Sequence, residues 1–452
     1  MTMNQDVKKD TVASHWLTGN ARQMWNHPHQ FPAEIAWREG GIAKFRMLHK
    51  YLYAITSADF ARQVLVTHHE RYERSFQYKT GRAVIGDGLL STDGPAWLKR
   101  RREILPAFKT NTMRRLVEAS AAAAMEIADR WVTVSAQTGS VDIVAETQRL
   151  ALITIGKTLL STEIDDGHAA DFGAAVRETL YLVRQRNTSL VRLPLWIPTS
   201  GNNRIHRTRQ VLDEFLVPHI EQRRLQPNYE AAQDILQTLT QARDHENGEA
   251  LDDQALLDET KTLFVSGFET TATALAWTLF LLSRHKSIKA QWQQECREVL
   301  NGRVPTFDDL ERLPITKQIL QEALRLYPPV YNMARECITD DILGNTRIKK
   351  GSVLLISIYG IHRSPAYWEN PDEFRPERFA RENTILPNTY YPFAIGKHVC
   401  IGAQFAMTEM ITILAVLGSR LQIVPADLEP VGIRAQITLA PSREILLRTT
   451  AL

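Results

Sequence analysis

Apolar residues recur at helical spacing, every three to four positions, through most of the chain. The segments with this period are Ser57–His69, which Ser57 caps, Asn111–Thr133, Glu146–Ser161, Ala169–Arg186, Arg204–Arg224, Asp252–Leu282, Ile315–Tyr327 and the run after Cys400. The pattern predicts a helix over each of them. Phe76–Leu90 mixes glycines with apolar residues and predicts a loop.

A few short β-prone runs predict strands. Lys44–Leu48 and Tyr51–Ile55 predict a hairpin, and Val353–Ser357 predicts a further strand. Ile437–Leu439 and Ile445–Leu447 predict a second hairpin that closes the fold.

Composition narrows the class of protein. The chain has 452 residues and a formal net charge of +3, which is too small to indicate a nucleic-acid partner. Three cysteines exclude a disulfide framework and are typical of a reducing compartment. No Gly/Ser linker or repeat divides the chain, so we expect one domain over 1–452. Met1–Asn20 carries no apolar run of spanning length, so we expect a flexible segment without a signal peptide or membrane anchor, and a cytoplasmic protein.

Cys400 stands between two glycines, immediately before an apolar helical run. A helix N-terminus favours an anion, which lowers a thiol pKa and prepares a thiolate to ligate a metal. Gly396 allows a tight turn before the sulfur, and Gly402 allows a flat group to approach the backbone. The arrangement indicates a socket for a heme iron. The alternative is that Cys400 is a buried small hydrophobic residue.

The centre of the longest predicted helix carries a second chemical signal. Leu263, Ser266, Gly267, Thr270 and Ala274 fall on one helix face. A glycine inside a helix costs about 1 kcal/mol relative to alanine, so a close ligand such as dioxygen would explain Gly267.

The residue pair that follows could relay protons. Glu269 and Thr270 supply an adjacent carboxylate and hydroxyl, which is the chemistry of proton transfer. The alternative is that Thr270 bonds its own helix carbonyl, which is common.

Two pairs of residues elsewhere share helix faces. Trp97 and Arg101 are four apart, so the indole N–H and the guanidinium can both donate to one anion. Glu322 and Arg325 are three apart, a spacing that also occurs in ordinary surface salt bridges.

Phe393, Gly396, His398, Cys400 and Gly402 together resemble the heme-binding signature of the cytochrome P450 family. The resemblance implies that Cys400 is the proximal iron ligand. It also implies that Phe393 packs near the thiolate and that His398 lies against a heme propionate.

Other segments are similar to further motifs of the same family. Ser266–Thr271 resembles the oxygen-activating helix of the family. The resemblance implies that Thr270 is the distal threonine, that Glu269 is its acidic relay partner and that Gly267 lies beside oxygen. Ser266 stands where the family usually has alanine. Pro376–Phe379 resembles the second arginine motif. The resemblance also implies that the heme propionates are bound by Trp97, Arg101 and Arg335. It implies that a buried charge network is formed by Glu322, Arg325 and Arg378.

The resemblance implies the P450 fold, a mostly helical α+β domain with small β-sheets. Heme b would lie between the long central helix and the helix that follows the cysteine loop. The implied activity is a heme-thiolate monooxygenase that uses O2 on a lipophilic molecule such as a terpenoid or fatty acid. The substrate pocket is predicted from mainly apolar residues, namely Phe76, Val84, Ile85, Phe264, Val330, Tyr331 and Met333.

The electron donor would be a separate ferredoxin or flavodoxin. Lys99, Arg100 and Arg102 form a dense basic cluster, which is either a solvated helix face or the docking surface for that acidic donor. Two other functions stay open: a peroxide-driven heme-thiolate oxidase, and a heme-binding sensor or carrier without turnover. A zinc protein is disfavoured because Cys296 and Cys337 show no paired spacing with Cys400.

Overall fold

The computed structural model describes residues 12, 14–164, 166–189, 192–225, 234–243 and 248–452. These residues form two compact units. The first comprises the described residues up to Phe76 together with Arg325–Glu373 and Thr384–Cys400, and the second comprises Gln77–Leu324, Phe374–Asn383 and Ile401–Leu452. That the whole chain is one domain stays a prediction.

Helices dominate the structure, with small sheets beside them, so the expected mostly helical α+β architecture is confirmed. Within the described residues the α-helices are α1 (Ala21–Asn26), α2 (Gln30–Arg38), α3 (Ala58–Arg62), α4 (Phe76–Ile85), α5 (Gly94–Ile104), α6 (Thr110–Thr138), α7 (Ile143–Leu160), α8 (Asp166–Thr188), α9 (Ser200–Leu225), α10 (Ile235–Gln241), α11 (Asp253–Arg284), α12 (Lys286–Leu300), α13 (Pro314–Leu326), α14 (Ile358–His362) and α15 (Ala403–Arg420). The strands are β1 (Ile42–Met47), β2 (Lys50–Ile55), β3 (Tyr72–Arg74), β4 (Val141–Asp142), β5 (Asn332–Cys337), β6 (Asp341–Leu343), β7 (Thr346–Ile348), β8 (Val353–Ser357), β9 (Leu421–Pro425), β10 (Ile433–Ala435), β11 (Leu439–Pro441) and β12 (Leu446–Ala451).

The first unit is built on a five-stranded sheet in the order β1-β2-β8-β5-β3. The predicted hairpin is confirmed, since β1 and β2 are antiparallel with Met47 opposite Lys50. Strand β8 runs parallel to β2 and antiparallel to β5. Phe45 of β1 and Ile55 of β2 are fully buried on opposite faces of this sheet, where two separate hydrophobic clusters cover it.

The N-terminal segment 1–20 lies outside the described residues at 1–11 and 13. Its described residues are hydrogen-bonded to the sheet: the Val12 N–H donates to the Lys44 carbonyl at 2.9 Å, and Arg46 donates to the carbonyl of Trp16 at 2.7 Å. These described residues are therefore held against β1.

The second unit is organised around α11, which packs against α7, α9 and other helices. Asp252 caps this helix by accepting from the Ala255 N–H at 2.7 Å, and Trp277 donates its indole N–H to the Leu439 carbonyl at 2.7 Å. Among the described residues, α11 alone is long and apolar enough to cross a membrane. Its most apolar window is 78% buried, as in the core helix of a globular fold.

Three local predictions were wrong in type or pairing. Phe76–Leu90 begins with helix α4 rather than a loop, because Thr80, Gly81, Val84 and Ile85 are buried at helical spacing and outweigh the cost of the glycine.

The other two errors concern a helix and a pair of strands. The helix capped by Ser57 ends at Arg62 and continues as a π-helix over Gln63–Thr67, although the Ser57 hydroxyl accepts from the Phe60 N–H as expected. The closing hairpin does not form, since β11 pairs with β10 whereas β12 pairs with β9 and β4. Strand propensity does not identify the partner of a strand.

Candidate active site

The loop before Cys400 is tight and fixed by its own backbone. The Cys400 N–H donates to the Phe393 carbonyl at 2.9 Å, and the Ala394 N–H donates to the Tyr391 carbonyl at 3.0 Å. Gly396 has a φ of +74°, and a Cβ there would lie 2.1 Å from the Leu65 carbonyl oxygen. The predicted need for glycine before the sulfur is thus explained by contact with the π-helix.

Accessibility separates Cys400 from the other two cysteines. Cys400 is exposed, whereas Cys296 and Cys337 are buried. Burial raises the pKa of the Cys296 thiol to about 12 and also raises the pKa of Cys337. Because a metal is ligated by the thiolate form, Cys400 is the cysteine suited to that role.

A chain of contacts in the first unit fixes the start of this loop. The Arg325 guanidinium donates to the His362 carbonyl at 2.8 Å, and His362 Nε2 accepts from the Tyr391 N–H at 3.0 Å. The ring of His362 also stacks on Tyr390 at a centroid distance of 5.3 Å. Sequence reasoning missed His362, because its role depends on the backbone N–H that reaches it.

Past the cysteine, the chain enters α15 with Gly402 as its N-cap. A Cβ placed on Gly402 would be in ordinary van der Waals contact with Phe108 Cε1 at 3.9 Å. The close approach of a flat group to Gly402 stays a prediction.

An open stripe runs along α11. From residue 256 to 279 every residue of the helix is buried except four that are partly exposed, namely Leu263, Ser266, Gly267 and Thr270. Their spacing places them on one helix face. Four of the five residues predicted to share a ligand-facing surface therefore lie on this open stripe, and the fifth, Ala274, is buried.

Within the stripe, hydroxyl groups bond the helix backbone. Thr270 Oγ1 donates to the Ser266 carbonyl at 2.6 Å, and Ser266 Oγ donates to the Thr262 carbonyl at 2.5 Å. The common structural alternative for Thr270 is thus what the structure shows. Because a hydroxyl also has two lone pairs, Thr270 still has acceptor capacity toward the open side.

Gly267 has a packing reason in addition to any ligand. A Cβ at this position would lie 3.1 Å from Cδ1 of Ile155 on α7, which is tighter than an ordinary contact. Close helix-to-helix contact therefore also favours glycine here.

Glu269 is turned into the protein. Its side chain is 8% exposed, and Thr438 Oγ1 donates to Oε1 at 3.3 Å. Burial raises the pKa of Glu269, while Thr438 and the charges of Arg177 and Arg434 oppose the rise. Consecutive helix residues point about 100° apart, so Glu269 and the stripe residue Thr270 face different surroundings.

Glu409 is a buried acid that sequence reasoning missed. It lies in the apolar run of α15, and Thr271 of α11 hydrogen-bonds to it. Burial raises its pKa to about 8. The only sequence signal was a carboxylate inside an otherwise apolar helix face.

On α5, Trp97 and Arg101 lie together as predicted. The Trp97 side chain is buried, and the Arg101 guanidinium lies over its ring at 5.4 Å, a cation–π contact. The inclusion of Arg100 in a solvated docking cluster was wrong. Arg100 Nε lies 3.3 Å from the fully buried carboxylate of Glu259, so this charge points inward.

The predicted charge network is partly visible. Glu322 is fully buried, and its Oε1 accepts from the Arg375 N–H at 2.9 Å and from Arg378 Nε at 3.3 Å. Arg325, also fully buried, donates to the carbonyls of Pro371 at 2.7 Å and Glu373 at 3.1 Å.

The residues predicted for the substrate pocket and the second propionate occupy varied surroundings. Arg335 is buried on β5 and donates to the Ala334 carbonyl at 3.0 Å. The predicted pocket residues Val84, Ile85, Tyr331 and Met333 are buried, while Phe76 is partly exposed and Val330 is 39% exposed. Phe264 lies among other aromatic side chains. It is fully buried, and its ring packs at 4.6 Å from that of Phe172 in an aromatic cluster.

Comparison with known proteins supplies the family. The family model described as Cytochrome P450 matches residues 11–444. The chain belongs to the cytochrome P450 family.

Similar relatives come from mammals and bacteria. Cytochrome P450 4F8 of Homo sapiens is 31% identical over 374 residues, which is 78% of this chain and 72% of that protein. Cyclooctat-9-en-7-ol 5-monooxygenase of Streptomyces melanosporofaciens is 30% identical over 416 residues, 90% of this chain and 88% of that protein. Leukotriene-B4 omega-hydroxylase 3 of Mus musculus is 31% identical over 367 residues, 76% of this chain and 70% of that protein.

P450 enzymes are monooxygenases with heme as cofactor, and this chain is one of them. The residues present fit that cofactor. In the first unit an accessible cysteine stands in a rigid loop, and in the second unit one stripe of an otherwise buried helix is partly exposed.

Proposed function

We propose that this P450 uses O2 to hydroxylate or epoxidise a lipophilic small molecule of terpenoid or fatty-acid type, with electrons from a separate redox partner. The names of two relatives, which refer to cyclooctat-9-en-7-ol and to leukotriene B4, support a lipophilic substrate. The mainly apolar character of Phe76, Val84, Ile85, Val330, Tyr331 and Met333 supports the same class. A cytoplasmic location is part of the proposal.

The observation that carries the proposal is the exposure of Cys400. It is the exposed cysteine, at the end of a loop whose backbone bonds and glycine leave little freedom. We assign Cys400 as the ligand of the heme iron. Heme, when bound, supplies the iron at which O2 is activated.

Several further residues would hold the heme. Phe393 would pack beside the sulfur and Gly402 would leave room for the ring. Trp97, Arg101, Arg335 and His398 would contact the propionates, since indole, guanidinium and imidazole N–H groups donate to carboxylates. Glu322, Arg325 and Arg378 would act structurally, because each is bonded to backbone or to another charge.

Proton supply would come from the open stripe and its neighbour. Thr270, whose own O–H donates to Ser266, would accept a hydrogen bond from a water at its lone pairs, and Gly267 would leave space for that water. Glu269 would be the acidic relay partner through an intervening water rather than by direct contact with the Thr270 hydroxyl, and burial raises its pKa.

The donor would be a ferredoxin or flavodoxin. Lys99 and Arg102 are exposed on α5 and supply positive charge for an acidic protein. Arg100 is no longer part of this proposed surface.

The experiment that tests the assignment is the spectrum of reduced protein under carbon monoxide. Wild type should show a strongly red-shifted Soret band, and Cys400→Ser should lose it. Cys296→Ser and Cys337→Ser are matched controls that should keep the band, since both thiols are buried. A heme-loaded wild type without the band, or a Cys400→Ser protein that keeps it, would overturn the proposal. Turnover driven by peroxide alone, with none from O2 and reductant, would favour the peroxide-driven oxidase.

A further inference from the structure

Two consecutive carboxylates of α11 bind the backbone of a neighbouring segment, residues 86–92. The Asp87 N–H donates to Asp258 Oδ2 at 2.7 Å, and the Leu89 N–H donates to Glu259 Oε2 at 3.1 Å. Hydrogen bonds from N–H groups to carboxylates are roughly twice as strong as those between neutral groups. The backbone N–H groups of Asp87 and Leu89 thus attach the segment to the helix.

Two glycines allow the segment to lie directly on the helix. A Cβ on Gly86 would be 2.1 Å from Asp258 Oδ1, and a Cβ on Gly88 would be 2.1 Å from Thr262 Oγ1. The segment is braced internally as well, because Ser91 Oγ donates to the Gly86 carbonyl at 2.7 Å. A side chain at either glycine would therefore separate the segment from α11.

Glu259 is the most enclosed member of this contact. It is fully buried, and Arg100 Nε of α5 lies 3.3 Å from its Oε1. The charged groups that face it are Arg100, Asp258 and Glu103, and together with the Leu89 N–H they surround the carboxyl. Burial raises the pKa of Glu259 to about 7, and the Leu89 N–H and Arg100 oppose that rise.

The contact at Glu259 lies about one helical turn before the open stripe of α11. Glu259 and Leu263 are four residues apart, and so share the helix face on which Ser266, Gly267 and Thr270 follow. Glu259 is covered by the 86–92 segment, whereas the stripe beyond it is partly exposed. The segment therefore bounds the stripe at its N-terminal end.

We propose that Asp258 and Glu259 form a carboxylate latch that holds residues 86–92 at the end of the stripe, and that this latch determines how bulky a molecule reaches it. Both are positioning residues: they act on substrate through the segment. The inference rests on the proposed function, in which the stripe of α11 faces oxygen and substrate.

Hydrogen–deuterium exchange measures the latch directly and needs no heme chemistry. In Glu259→Gln at pH 8, where the wild-type carboxyl is ionised, the amides of residues 86–92 should exchange about tenfold faster after correction for intrinsic rates. That factor corresponds to about 1.4 kcal/mol. Glu118→Gln, which removes an exposed carboxylate of α6, is the charge-matched control and should leave these amides unchanged. Unchanged exchange in Glu259→Gln would overturn the latch.

Azole binding to the heme protein measures access. The probes are imidazole and the bulkier 4-phenylimidazole, with association rates from stopped-flow spectra expressed per neutral azole. Glu259→Gln should raise the 4-phenylimidazole rate about tenfold at pH 8, with little effect on imidazole. In wild type the same rate should rise as the pH falls through about 7, where Glu259 takes up its proton, and in the variant it should not. If wild type and Glu259→Gln have equal 4-phenylimidazole association rates and equal pH profiles, the proposal is overturned.

A second variant keeps the test valid if Glu259→Gln does not fold. Gly88→Ala should displace the segment through its clash with Thr262 and raise both the exchange and the 4-phenylimidazole rate. Gly201→Ala is its control, since a Cβ there meets nothing within 4 Å. The carbon monoxide spectrum separates the two hypotheses. Absence of the red-shifted band contradicts the proposed function, whereas a normal band with unchanged exchange and azole rates contradicts the latch alone.

Discussion

Glu409 of α15 accepts a hydrogen bond from Thr271 of α11, and both side chains are buried. A carboxyl that is removed from water and has one hydroxyl partner favours its neutral form, which raises its pKa to about 8. The stabilising effect of this neutral carboxyl is complete below the ordinary glutamate pKa and is lost as the pH rises toward 8.

Glu409→Gln should therefore increase stability at high pH. The amide keeps an acceptor for Thr271 and cannot ionise, so the free energy of unfolding at pH 8.5 should exceed that of wild type by on the order of 1–3 kcal/mol. Urea unfolding at pH 5.5 and 8.5 measures the difference, with exposed Glu118→Gln as control. The same gain at both pH values would show that Glu409 is not neutral in the folded protein.

The pair of buried Glu322 and half-buried Arg378 should be intolerant of losing one partner. Arg378→Ala removes a cation that contacts the fully buried Glu322 carboxylate, which costs up to about 3–5 kcal/mol. We expect a lower yield of heme-loaded protein and a lower urea midpoint. Arg347→Ala breaks an ion pair with Asp340 at the surface and should change neither value much. Similar stability of the two variants would contradict the network.

Sequence patterns located the long helices α6, α7, α8, α9, α11, α13 and α15 to within a few residues, because long apolar periods require burial of one face, but they missed α2, α10 and α12. They also identified the Cys400 loop and the α11 stripe, where glycine and cysteine are unusual enough to need a reason. Patterns did not show where a charge points: Arg100 stands in a run of basic residues, yet it faces buried Glu259. Nor did they show His362 or the Asp258 and Glu259 contacts, since the partners there are backbone N–H groups that only the folded chain brings near.

Because Arg100 faces buried Glu259, donor docking on α5 is tested at Lys99 and Arg102. Lys99→Glu/Arg102→Glu should slow heme reduction by an acidic plant-type ferredoxin and reduce the salt dependence of the rate. Lys317→Glu/Arg207→Glu, an equal charge change at exposed positions of other helices, should have little effect. Stopped-flow reduction at several ionic strengths measures both. Equal slowing in the two pairs would indicate a general charge effect rather than a docking site on α5.

The two reasons for Gly267 can be separated with Ile155. Gly267→Ala places a Cβ 3.1 Å from Ile155 Cδ1, so it should destabilise the protein despite the better helix propensity of alanine. Ile155→Val removes that methyl group and should restore stability to the double variant beyond the sum of the single changes. If stability is restored but product formation is not, the glycine is also needed for space on the open side. Full restoration of both would assign Gly267 to helix packing alone.

Thr270 has the most direct prediction for turnover. Its hydroxyl lies on the open stripe and bonds only the Ser266 carbonyl among the described residues, so Thr270→Ala should keep the fold and the heme. Loss of the proton-holding group should lower product formed per reductant consumed about tenfold and divert electrons to peroxide. Thr278→Ala is the matched control, because Thr278 makes the same bond to the Ala274 carbonyl in the buried part of the helix. Tight coupling in Thr270→Ala, measured with any accepted substrate, would remove Thr270 from proton delivery and leave it a helix residue like Thr278.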